Sequence, residues 1–102
     1  MQAHEAREIR GWILRILNYN YPESLSVEAI TLTLGKLEYS VTSFAVAGFI
    51  DYLEEKGYLE SRQVEVPEAG IARRVVRLTA RGKDLVEGNI PADPGVRIGE
   101  PR

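Results

Sequence analysis

The chain has 102 residues, 44% hydrophobic and 27% charged, enough for one folded domain with one core and too few for two. With no cysteine, disulfides and thiolate metal sites are excluded, and a domain this small without such staples fits a reducing compartment. The opening Met1-Gln2-Ala3-His4-Glu5 carries no signal-peptide core, and no window has the apolar length of a membrane span. A cytoplasmic protein without a membrane partner is therefore expected. A net charge of −2 and a pI near 5.4 weigh against nucleic acid, because phosphate binding leaves a basic footprint. The charge is uneven, however. Between Ser61 and Lys83 six basic residues (Arg62, Arg73, Arg74, Arg77, Arg81, Lys83) face two acidic ones (Glu65, Glu68), a local balance of +4.

In chain order, the spacing of Ile9, Trp12, Ile13, Ile16 and Leu17 predicts a helix from Ala3 to Tyr19, with Arg7, Arg10 and Arg15 largely off its buried stripe. Leu14 widens the apolar face and makes this helix a candidate homodimer surface. Pro22 lies just beyond the end of that helix. A second helix starts with Ser26 as its cap, turns Val27, Ile30 and Leu34 inward, and is expected to stop at Gly35. A third starts near Thr42 or Ser43 and runs to about Lys56, with Val46, Phe49, Ile50 and Leu53 as its core stripe and Gly57 as its stop. The β-branched runs Tyr58–Val66 and Ile71–Leu78, broken by Pro67-Glu68-Ala69-Gly70, predict a hairpin. Val76 and Leu78 fall on one of its faces, Arg73 and Arg77 on the other. Thr79 caps a short fourth helix ending at Gly88, which closes a domain over 1–88. Pro91, Pro94, Gly95, Gly99 and Pro101 make 89–102 an extended tail.

Three helices feeding a hairpin and a short last helix predict a mostly α, α+β winged helix-turn-helix, with the hairpin as wing and the third helix in the recognition position. Leu53-Glu54-Glu55-Lys56-Gly57-Tyr58-Leu59 and Arg73-Arg74-Val75-Val76-Arg77-Leu78-Thr79-Ala80-Arg81-Gly82 resemble the helix-to-wing and wing-return segments of MarR-like and PadR-like regulators. Tyr21–Ser26, Asp51–Glu54, Leu78–Gly88 and the tail Ile90–Val96 resemble small winged-helix proteins of Mu-like prophages. That resemblance implies a DNA-binding prophage regulator. The chain departs from MarR-type regulators in following its fourth helix with a Pro/Gly tail rather than a long dimerising helix.

Two functions compete. Arg62, Arg73, Arg74 and Arg77 on the wing suit duplex phosphates, with Ser40, Thr42 and Ser43 at the start of the third helix as further donors. The same arginines would also keep a bare hairpin soluble. The outward positions of the third helix, Phe44, Ala47, Gly48, Asp51, Glu54 and Glu55, include no Arg, Lys, Asn or Gln to read base edges. DNA contact is therefore expected to be wing-led and weakly specific. Phe44, Ala47, Gly48, Asp51 and Glu55 form the alternative protein-docking face, although Phe44 on its own reads as packed. A basic surface shared by wing and third helix favours DNA, and acidic residues between them favour a protein partner. No catalytic residue, cofactor or metal is expected: His4 is the single histidine, Gly35-Lys36 lacks the rest of a phosphate loop, and the tyrosines read as packed rings with wet hydroxyls. The domain also looks too small for an obvious ligand pocket.

Overall fold

The structure, a computed structural model, describes residues 2–99. Helix α1 spans Ala3–Tyr19 and is followed by a two-residue strand β1, Leu25–Ser26. Helices α2 (Val27–Lys36) and α3 (Ser43–Glu55) lead into the wing, β2 (Leu59–Val66) and β3 (Ile71–Leu78), and α4 spans Ala80–Glu87. The sheet is antiparallel in the order β1-β3-β2, with Leu59 opposite Leu78 at the wing's base and Val66 opposite Ile71 at its tip. Strand β1, absent from the sequence reading, pairs Ser26 with Val75 and Leu25 with Val76. It ties the start of α2 to the wing.

Hydroxyl caps set three of the helix starts. Ser26, Thr42 and Thr79 each accept a hydrogen bond from the amide three residues on, at 3.0, 3.1 and 3.0 Å. Thr79 also donates to the Gly57 carbonyl at 2.7 Å, which fastens α4 to the end of α3. Helix α3 stops as expected at Gly57 (φ 85), with the Tyr58 amide donating back to the Leu53 carbonyl. Helix α2 does not stop at Gly35. It continues to Lys36 and closes with Glu38 in the left-handed conformation (φ 69), where the Tyr39 amide reaches Leu34 O and the Glu38 amide reaches Gly35 O. The closing geometry is the one glycine favours, but a glutamate holds the left-handed position.

Ile9, Ile13, Leu14 and Leu17 of α1 pack with Ile30, Leu34, Val46, Ile50, Leu53, Val76 and Leu78 in one core. Leu14 is fully buried within the chain, so it offers nothing to a second subunit. The 89–102 tail, described as far as Gly99 with Pro101 outside the described residues, has no helix or strand over 89–99, turns at Pro94-Gly95 and lies on the domain rather than apart from it. Val96 is buried, and Ile90 and Ile98 pack against the core. The Arg97 amide donates to Arg7 O at 3.0 Å, and the tail crosses α1 so closely that a Cβ on Gly11 would stand 1.8 Å from Arg97 O.

Candidate nucleic-acid interface

The wing has two unlike faces, because residues alternate along a strand. Val76 and Leu78 turn into the core, and Arg74 follows them on that side. Its guanidinium sits 2.8 Å from an Asp51 carboxylate oxygen and 2.9 Å from one of Glu54, while its Nε donates to Ser61. At 23% side-chain exposure and with two carboxylates on it, Arg74 is a brace between α3 and the wing rather than a free hydrogen-bond donor to phosphate. Arg62, Arg73 and Arg77 occupy the other face, all exposed. Arg73 pairs with Glu28 at 3.2 Å and Arg77 pairs with Glu60, its cross-strand neighbour, whereas Arg62 has no ion pair within 4.0 Å among the described residues. The Arg73 and Arg77 pairs are exposed at both ends, and such pairs are worth about 0–1 kcal/mol, so a phosphate could displace either carboxylate.

The start of α3 is less available than its sequence suggests. The Thr42 oxygen caps the helix, and the Ser43 hydroxyl donates to Thr31 Oγ1 on α2 at 3.3 Å, while Ser40 stays exposed. Phe44 was expected to be packed. It stands 90% exposed on the first turn of α3. Gly48 one turn on is bare, with nothing within 4 Å of the Cβ it lacks, Ala47 is half-buried, and Asp51 and Glu55 continue the exposed side. Asp51 and Glu54 lie between α3 and the wing through their hold on Arg74, so α3 and the wing share no single basic surface.

A second constellation has no local sequence signal because Asp93 lies 35 residues from Tyr58 and 37 from Lys56. The Tyr58 hydroxyl, expected to be wet, is buried and donates to Asp93 at 2.6 Å, Lys56 lies 3.1 Å from the same carboxylate, and the Gly95 amide donates to it at 2.8 Å. Burial pushes the Asp93 carboxyl up, but the Tyr58, Gly95 and Lys56 hydrogen bonds outweigh it and hold the pKa below the ordinary value. Arg10 completes the clasp: its guanidinium lies 4.0 Å over the Tyr52 ring and donates to Gly95 O at 3.1 Å. An open groove of about 740 Å³ runs between α4 and the tail past Leu85, Ile90, Val96 and Ile98. Among the described residues no three His, Cys, Asp or Glu side chains converge as metal ligands, and no helix is long and apolar enough to cross a membrane.

Three helices, a β1-supported wing and a closing helix make this a winged-helix domain. No family model and no curated protein matches the chain. Among solved structures it is similar to a PadR-family transcriptional regulator from Eggerthella lenta DSM 2243, with 18% identity and a TM-score of 0.62 over 79% of this chain and 70% of that one. It is also similar to the reduced form of the transcriptional regulator YodB from Bacillus subtilis (18% identity, TM-score 0.57, 74% of this chain and 65% of that one). A third is Bacillus subtilis PadR in complex with operator DNA (22% identity, TM-score 0.58), of which 84% of this chain covers 50%. The chain thus spans just under two thirds of YodB and half of the operator-bound PadR. At these identities the likeness shows the fold.

Proposed function

We propose that this chain is a DNA-binding winged-helix protein of the transcription-regulator kind, holding duplex phosphates through the exposed face of its wing and not acting as an enzyme. The observation that carries this is the fold itself, which it has in common with a PadR solved on operator DNA, together with the exposed guanidiniums of Arg62, Arg73 and Arg77 on one wing face. Ser40 and Thr42 are secondary hydrogen-bond donors to phosphate, and Arg74 drops out of the contact set. The resemblance to Mu-like prophage proteins supports a prophage regulator working in the cytoplasm. Fluorescence anisotropy on a random-sequence duplex at low salt tests the proposal: binding that weakens as salt rises supports it, and no binding overturns it.

A second reading rests on one observation. Asp51 and Glu54 separate α3 from the wing, the charge placement expected of a protein-docking module, and Phe44, Ala47, Gly48, Asp51 and Glu55 would be its face. A chain that ignores duplex yet carries Phe44 into a complex with a protein partner would belong to this class. A homodimer through α1 has lost its support, because Leu14 is buried within the chain.

A further inference from the structure

We infer that Phe44 reads the 5-methyl group of thymine in the major groove, so that the weak base preference of this protein is a preference for thymine at the positions facing the first turn of α3. The inference rests on the DNA-binding reading and names the chemistry of that same surface.

A recognition helix enters the major groove by its N-terminal turn, and Phe44 is the second residue of α3 after the Thr42 cap. It is 90% exposed, so the folded chain does not use the ring for its own core. Of the groups that base pairs present in that groove, the thymine methyl alone is apolar. The exposed side of α3 offers no guanidinium or carboxamide for the polar edges: after Phe44 come Gly48, Asp51 and Glu55. The missing side chain at Gly48, with open space around it, lets the helix backbone come near the groove floor one turn beyond the ring. Asp51 and Glu55 lie further along the helix, and Asp51 shares the single Arg74 guanidinium with Glu54. An aromatic ring at the leading turn with a bare helix behind it therefore suits a methyl group better than any hydrogen-bonding edge.

The test uses duplexes recovered by repeated selection from a random-sequence pool, remade with each thymine in turn replaced by deoxyuridine, which removes only the methyl. The full chain is expected to lose about fourfold in affinity at one or two positions, the effect of withdrawing one buried methyl. Phe44→Ala is expected to bind thymine and deoxyuridine duplexes alike, and Phe44→Leu to restore part of the discrimination. Because the ring is exposed, both variants should melt with the parent, which separates reading from folding. Equal binding of both duplexes by the parent chain overturns the inference and leaves DNA binding standing, as does discrimination that survives in Phe44→Ala. Recovery of no duplex at all overturns the underlying DNA-binding reading and this inference with it. A dimer in sedimentation that Phe44→Ala dissociates assigns the ring to a contact between copies and also overturns it.

Discussion

Glu38 is the residue whose backbone and side chain disagree. Its φ of 69 closes α2 in a conformation that costs a side-chain-bearing residue about 1 kcal/mol relative to glycine. Glu38→Gly is therefore expected to raise stability by about 0.5–1 kcal/mol in urea unfolding, without touching the wing. Asp93 sets a pH limit. Its folded pKa lies below the unfolded value of about 3.9, so the ionised form is favoured in the folded chain. Its contribution is present above about pH 4 and is lost as the pH falls through the depressed value. Stability measured from pH 6 down to pH 3 should fall in the parent chain, and Asp93→Asn should flatten that fall while lowering stability at pH 6. Lys56 and Tyr58 give the opposite limit. Both pKa values are raised, Lys56 by its hydrogen bond to Asp93 and Tyr58 by burial and then that same carboxylate. Their contributions hold below about pH 10 and fade as the pH rises through the raised values.

At the scale of elements, what the sequence made legible is what local chemistry decides. The caps Ser26, Thr42 and Thr79, the stops Gly57 and Gly88 and the Pro67–Gly70 turn all stand where residue type alone puts them. Gly35 misled because glycine inside a helix costs about 1 kcal/mol, a price that packing of Ile30 and Leu34 can cover. Strand β1 was illegible for a different reason: two residues make no pattern of their own, and only the β3 edge makes them a strand. Arg74 shows the same limit within the site. Strand alternation puts it with Val76, away from Arg73 and Arg77, but the carboxylates it meets come from α3, 20 or more residues earlier. Arg74→Ala is expected to destabilise the chain by about 1–2 kcal/mol, because Asp51 and Glu54 would be left facing one another without a cation. Arg73→Ala and Arg77→Ala remove exposed pairs and should each change stability by less than about 1 kcal/mol.

Across the whole molecule, the tail works as part of the fold. Its composition of proline and glycine gave no sign of its attachment, which depends on Arg10, Tyr52, Lys56 and Tyr58 from distant segments. Gly11 is where the two meet. Gly11→Ala would drive a Cβ into the Arg97 carbonyl, so the tail is expected to lift from α1, with faster proteolytic cleavage within 93–99 while far-ultraviolet helicity is kept.

In the proposed DNA complex the exposed wing face, and not the α3-facing Arg74, carries the phosphate contact. The most direct measurement is the salt dependence of anisotropy on a random duplex for the parent chain, for Arg62→Ala/Arg73→Ala/Arg77→Ala and for Arg74→Ala. Each phosphate contact removed should lower the slope of log K against log salt by about 0.9, so the triple variant is expected to lose up to about 2.7 of slope. Arg74→Ala, assayed where it remains folded, should keep the parent slope. An unchanged slope in the triple variant, or a slope lost in Arg74→Ala alone, would contradict the claim.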